Sequence, residues 1–102
     1  MDTRRSGEFD KQPAEIFDVT CTFASRLKSG ETVSSIAVTA TILSTGATAT
    51  STVVSTSSLA TPIATVKVKA GTSGVDYIIT IKATTSSSNV HEADLLMSVL
   101  ET

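Results

Sequence analysis

The sequence predicts an all-β fold, an immunoglobulin-like antiparallel β-sandwich of about seven strands. Hydrophobic and polar residues alternate with a period of two through much of the 102-residue chain, which is the pattern of half-buried strands. Turn-forming residues interrupt this alternation about every 8–12 residues, the spacing of strands in a sandwich. The chain is also rich in Thr and Val, whose β-branched side chains favour strands over helices.

Bulk composition limits both the number of domains and the classes of function. A chain of 102 residues is long enough for one domain with one modest core. Aromatic residues make up 4% of the chain and Trp is absent, so aliphatic side chains must fill most of that core. The net charge of −2 argues against a protein that binds nucleic acid. No apolar run approaches the length of about 20 residues that spans a membrane, and the N-terminus lacks the apolar region of a secretory signal.

The N-terminal part is predicted to be a polar leader followed by the first strand. Residues 1–12 are polar and charged, and we expect them to be flexible, with residues 13–102 forming the single domain. Alternation begins after Pro13, and one face of the first strand takes the side chains of Phe17, Val19, Cys21 and Phe23. Because Cys21 is the only cysteine, no internal disulfide is available to hold the fold.

A turn over residues 24–32 is expected to lead into the second strand. Leu27 is predicted to fold back within this turn as a plug, and Gly30 to supply the backbone freedom that the turn requires. The second strand is predicted over residues 33–43. Its shared face carries Ile36, Val38, Ala40 and Ile42.

The middle of the chain gives a weaker strand signal. Residues 47–55 have small side chains and are predicted to form a strand at a sheet edge. Residues 56–61 are expected to form a loop before Pro62, which is tolerated at the start of a strand. Residues 63–70 alternate cleanly. The side chains predicted to face inward from this strand are those of Ala64, Val66, Val68 and Ala70.

The next stretch, residues 71–89, reads as a turn, a strand and a second turn. Gly71 and Gly74 are predicted turn residues rather than a phosphate-binding loop, since no Lys-Ser/Thr pair and no helix follow them. Tyr77 occupies the position of the tyrosine corner of sandwich domains, where its phenol is expected to bond a backbone carbonyl. The inner face of the strand is expected to carry Tyr77, Ile79, Ile81 and Ala83.

The C-terminal segment, residues 90–100, admits two interpretations. Leu95, Leu96, Val99 and Leu100 have helical spacing, but the segment follows a turn of hairpin length, which favours a strand. The inner face of that strand would carry Ala93, Leu95, Met97 and Val99. Leu96 and Leu100 break the alternation and leave room for a bulge.

The sequence predicts no catalytic, cofactor-binding or metal-binding residues. His91 is the only histidine and has no ligand partner at the spacing that zinc sites use. Cys21 alternates with apolar residues and is expected to be a small buried hydrophobe. Glu92 and Asp94 are expected to share a solvated strand face. A nucleophile or an acid–base pair has no supporting partner, so we predict neither an enzyme nor a small-molecule substrate.

Several short motifs follow one another along the chain. They are Lys11-Gln12-Pro13, Asp18-Val19, Phe23 and Arg26 with Leu27, GETV at residues 30–33, Gly71 and Gly74 with Tyr77, TTS at residues 84–86, and the closing ADLLMSVLE. In this order and spacing they resemble small phage and prophage virion proteins of the fiber–tail adaptor-like type, over roughly residues 11–101. That family has Trp at the places of Phe23 and Arg26 and Tyr at the place of Val19.

The resemblance implies a non-enzymatic structural protein of a phage or prophage particle, docking or assembling at the head–tail or tail–fiber region. Its partners would be other virion or tail proteins or further copies of itself. It would be made in the bacterial cytoplasm and then reside in the virion. The alternative is a cell-surface or secreted immunoglobulin-like binding module, an adhesin or a carbohydrate-binding domain, with Tyr77 as a ligand contact.

Overall fold

The computed structural model describes residues 7–100, which form seven strands and two short helical segments. The strands are β1 (Gly7–Lys11), β2 (Phe17–Thr22), β3 (Val33–Ile42), β4 (Val54–Ala60), β5 (Ile63–Val68), β6 (Asp76–Thr85) and β7 (Val90–Val99). The helical segments are a 3₁₀ turn, Ala24–Arg26, and the helix α1, Thr50–Val53. The C-terminal segment is therefore a strand, as the turn before it indicates. Its pairing with β6 runs without a register shift, so the expected bulge is absent from β7.

The strands form two sheets, in the orders β1-β7-β6-β3 and β2-β5-β4. The second order matches strands B, E and D of an immunoglobulin domain, and β7-β6-β3 matches strands G, F and C. The predicted immunoglobulin-like sandwich is thus confirmed. All neighbouring strands are antiparallel except β1 and β7, which run parallel.

The first strand departs from the expected flexible leader. Residues 7–11 pair with β7 from Gly7 opposite Leu95 to Lys11 opposite Val99. The physical reason is Phe9, whose ring meets that of Phe17 edge-on, with centroids 5.8 Å apart, and so joins the two sheets. The remainder of the expected leader, residues 1–6, lies outside the described residues.

The segment that connects β3 to β5 also differs from the prediction. Residues 50–53 form α1 rather than a strand, and the expected loop 56–61 is largely the strand β4. The hydroxyl of Thr50 accepts a hydrogen bond from the N–H of Ala40 at 2.9 Å, and Val53 is fully buried. This anchoring folds the chain over the end of β3. The Ser-rich strand β4 has mostly exposed side chains, so it shows no alternation that would reveal it.

The core consists of aliphatic side chains from the inner faces of both sheets. The inward-facing positions predicted for β6 and β7 are all buried. In β5 the prediction holds for Ala64, Val66 and Val68, whereas Ala70 lies beyond the strand with a φ of 49° and is exposed. The shared face predicted for β3 is also correct, although Ile36, Val38 and Ile42 are only partly buried because β3 lies at a sheet edge.

Gly71 provides a test of how tightly the corner before β6 is packed. Its φ is +97°, and an added Cβ would lie 2.8 Å from Val99 Cγ2. Gly74 has a similar φ of +86° but open space around the same position. We expect Gly71→Ala to lower the free energy of unfolding by about 2–4 kcal/mol, because backbone strain adds to a clash with a stiff β-branched side chain. Gly74→Ala, the matched control, should lose about 1–2 kcal/mol from backbone strain alone.

Urea denaturation of the two variants and the parent measures these differences. Equal losses for both variants would show that the Val99 contact does not constrain Gly71.

Candidate functional site at the two ends of the sandwich

One end of the sandwich is organised around the side chain of Lys11, which is only 2% exposed. Its Nζ donates hydrogen bonds to the carbonyl oxygens of Gln12 at 2.7 Å, Pro13 at 3.1 Å and Ala70 at 2.5 Å. All three ammonium donors therefore have acceptors, which is what makes a buried charge tolerable. Burial lowers the pKa of Lys11, and the Glu15 carboxylate opposes this shift. The Lys11 cluster (Lys11, Gln12, Pro13 and Ala70) ties the end of β1 to the β5–β6 connection.

The tyrosine corner lies directly beside the Lys11 cluster. The Tyr77 side chain is 2% exposed, and its phenol oxygen accepts a hydrogen bond from the N–H of Thr72 at 3.0 Å. The expected partner was a carbonyl, but the positive φ of Gly71 turns the chain so that an amide N–H reaches the phenol instead. The Gly74 N–H donates to the carbonyl of Val99 at 2.7 Å and ties this turn to β7. Since Tyr77 is buried, it is not a surface ligand contact.

The opposite end of the sandwich is organised around the carboxylate of Glu31, a residue only 9% exposed. The carboxylate accepts hydrogen bonds from the Thr85 hydroxyl at 2.6 Å, the Asn89 side-chain amide at 3.1 Å and the Lys28 N–H at 3.0 Å. These bonds, the one from Thr85 above all, lower the pKa of Glu31 to about 2, although partial burial opposes the shift. The Glu31 cluster (Glu31, Lys28, Thr85 and Asn89) ties the turn before β3 to the β6–β7 turn.

Backbone hydrogen bonds extend the Glu31 cluster. The Thr32 N–H donates to the Ser86 hydroxyl at 3.1 Å, and the Ser86 N–H donates to the Thr32 carbonyl at 2.8 Å. The GETV and TTS motifs of the sequence therefore meet in space at this end. At the other end Lys11 bonds the carbonyl of Ala70, the residue that precedes Gly71 of the glycine-and-tyrosine motif.

The turn before β3 contains the remaining residues that the sequence singled out. Leu27 is half-buried and packs against the core, and Gly30 has a φ of +81°. Phe23 is fully buried, and the Arg26 guanidinium lies over its ring at 5.7 Å from the centroid. The Arg26 Nη1 also donates to the Glu92 carbonyl at 2.5 Å, which fastens the 3₁₀ turn to β7.

The reactive side chains remain apart from one another. Asp94 accepts a hydrogen bond from the Thr80 hydroxyl at 2.8 Å, and Glu92 lies 3.9 Å from the exposed ammonium of Lys82. Burial raises the pKa of the half-buried Cys21 thiol, and Arg26 opposes this. Among residues 7–100 no group of three or more His, Cys, Asp and Glu side chains could hold a metal ion. None of the helices in that range is long and apolar enough to cross a membrane.

Lys11 and Glu31 lie within the sequence motifs, but the sequence alone indicates no role for either residue. Lys11 lies two residues after Phe9 in a segment whose side chains alternate between inward and outward, and this spacing indicates an inward position for Lys11. Glu31 carried no such signal, because its partners Thr85 and Asn89 are distant in the sequence and are brought close only by the fold. Both residues organise the ends of the domain, and their arrangement suits fixed connections rather than catalysis.

The two ends also differ in their exposed apolar side chains. At the end with the Lys11 cluster, Ile16, Leu43 and Leu100 are 63%, 43% and 52% exposed. The Leu43 N–H donates to the carbonyl of Asp76 at the start of β6, and the Leu100 N–H donates to that of Lys11, which places both at this end. Ile63 and Val90, 42% and 54% exposed, lie at the end with the Glu31 cluster.

The hydrogen bonds of Glu31 predict an acid-sensitive stability. The pKa of Glu31 falls from its ordinary 4.5 to about 2 on folding. Its ionised carboxylate therefore stabilises the fold fully at pH values above about 4.5. That contribution is lost as the pH falls through about 2. We expect Glu31→Gln to be less stable than the parent at neutral pH and to show a shallower loss of stability between about pH 5 and pH 2.

The measurement is the free energy of unfolding from urea titrations across that pH range. Glu92→Gln, on the exposed strand face, is the control and should keep the pH dependence of the parent. An unchanged pH dependence in Glu31→Gln would contradict the assignment.

The model of the family described as podophage GP4 fiber-tail adaptor protein gp77 matches residues 11–98 of this chain. Comparisons with curated proteins and with solved structures gave no significant match. The matched range begins at Lys11 and includes the Glu31 cluster and the tyrosine corner, so it covers both ends of the sandwich. The resemblance found in the sequence motifs is thereby confirmed, and the chain belongs to the podophage fiber-tail adaptor family.

Proposed function

We propose that this protein is a non-enzymatic structural component of a phage or prophage particle and that it joins tail and fiber proteins. The observation that carries the proposal is the family match over residues 11–98. An adaptor of this kind is made in the bacterial cytoplasm and then becomes part of the virion. In this proposal Lys11 and Glu31 serve as internal ties, because the ammonium and the carboxylate are held by hydrogen bonds within the domain.

The structural role of the corner and turn residues is part of this proposal. Gly71, Gly74 and Tyr77 fix the connection before β6, while Leu27 and Gly30 shape the turn before β3. With both ends of one domain held in this way, the surface that meets a partner keeps its shape on binding. Such preorganisation limits the entropy lost in assembly.

The docking surface in this proposal is the end with the Lys11 cluster. Three large apolar side chains, those of Ile16, Leu43 and Leu100, are exposed there. The Lys11 carbonyl accepts a hydrogen bond from the Leu100 N–H, and the Lys11 ammonium holds the carbonyls of Gln12 and Pro13 in the segment that leads to Ile16. Large apolar side chains exposed at one end of a rigid frame are candidates for protein–protein contacts.

The test is binding to the tail and fiber proteins encoded in the same phage genome. The parent protein should co-purify with at least one of them. Leu43→Asp combined with Leu100→Asp should weaken that binding at least about tenfold, because it places charges in an apolar contact. The control combines Ile63→Asp with Val90→Asp, which have similar exposure at the opposite end, and should bind like the parent.

Two results would contradict the proposal. If the parent binds none of the tail and fiber proteins of its phage, the adaptor function is rejected. Equal weakening by the control pair would reject the end with the Lys11 cluster as the docking surface.

A further inference from the structure

One long segment of the chain contains no charged residue. All eight Lys and Arg residues, all ten Asp and Glu residues and the single His lie outside residues 32–66. This segment forms β3, α1, β4 and the first part of β5. Since β3 ends the order of one sheet and β4 ends that of the other, their outer edges lie on the same side of the sandwich. We call β3, α1 and β4 the uncharged flank.

The opposite flank has a different character. It is formed by β1 and β2, whose stacking is shown by the contact between Phe9 and Phe17. These strands carry the exposed carboxylates of Glu8, Asp10 and Asp18. Charges on edge strands oppose pairing with another chain, which is how soluble sheet proteins usually protect their edges. The uncharged flank lacks this protection.

Of the two edges on the uncharged flank, that of β4 is the open one. The edge of β3 is partly covered, because the Ala49 N–H donates to the Ala40 carbonyl and the Ile42 N–H donates to the Ala47 carbonyl. β4 pairs with β5 on one side, and no described strand pairs with its other side. Its seven residues, Val54–Ala60, include neither a charge nor a proline. Its pairing with β5 shifts register between Val54 and Thr56 and is regular from Thr56 to Ala60. Over these five residues the outer edge therefore presents a row of backbone groups suited to one more strand.

The core is also incompletely covered along this flank. Ile36 and Val38 of β3 and Val54 and Leu59 of β4 pack against the core but remain partly exposed. Inward side chains of a strand added beside β4 would pack over this boundary. The added strand would thus gain apolar burial as well as backbone hydrogen bonds.

We propose that the outer edge of β4 pairs antiparallel with β4 of a second copy of this chain. In a two-fold pair each surface meets itself, so any charge near the axis faces its own copy. The uncharged flank meets this condition without repulsion. On β4 itself the side chains available to a partner strand are those of Ser55, Thr56, Ser57, Ser58 and Ala60, all of which are exposed. The pairing leaves the end with the Lys11 cluster free and does not depend on the proposed adaptor function.

The test places one charge near the middle of β4. Ser58 is exposed and has Thr65 as its β5 partner. Ser58→Lys brings like charges together across the two-fold axis and should raise the dimer dissociation constant at least about tenfold. The matched control is Thr20→Lys on β2, an exposed position on the edge strand of the opposite flank, which should dimerise like the parent.

Sedimentation velocity from about 1 µM to about 1 mM measures the dissociation constants. A second variant, Ser58→Glu, excludes a folding defect: each Ser58 variant alone should be monomeric and folded, and an equal mixture of the two should restore the dimer.

Three results would overturn the proposal. One is a parent protein that stays monomeric throughout this range. If Ser58→Lys then also abolishes binding of a tail protein, the edge of β4 belongs to that partner and not to a second copy. Another is a Ser58→Lys protein that dimerises like the parent or is weakened no more than Thr20→Lys. The last is a mixture of folded Ser58 variants that remains monomeric.

Discussion

The ammonium group of Lys11, held by three backbone carbonyls, is the contact on which the rest of the structure depends. It fixes β1 alongside β7 and holds the chain at Ala70, immediately before the turn that leads to Tyr77. A chain with few aromatic residues and one cysteine has no large ring cluster or disulfide to close its ends. A saturated buried charge supplies that closure, because removing any acceptor would leave a desolvated donor unpaired.

The Glu31 carboxylate performs the corresponding task at the other end with the opposite charge. Its hydrogen bonds join the turn before β3 to the tip between β6 and β7. Both charges are used inside the domain, so neither is available to a partner. In the adaptor proposed above, contacts with other proteins use exposed apolar side chains and an uncharged strand edge rather than these two charges.

The sequence alone was sufficient to locate the strands that have one apolar face and one polar face. Alternation located β2, β3, β5, β6 and β7, because one face of each strand packs against the core while the other meets solvent. β1 was missed because its inner positions include Lys11, a charge that reads as solvent-exposed. β4 was missed because its side chains are mostly exposed, and the two that pack against the core, Val54 and Leu59, are five residues apart and give no alternation. The inward position of Tyr77 was predictable from the alternation, but its Thr72 donor depended on the conformation of Gly71.

The buried ammonium of Lys11 thus joins β1 and the corner before β6 into one unit. Amide hydrogen exchange of the Lys11→Met protein tests it most directly, because methionine keeps the length of the side chain and removes its donors. We expect Gly7–Lys11 and residues 70–72 to lose protection together, while residues 85–89 at the other end keep theirs. Unchanged protection in both segments would contradict it.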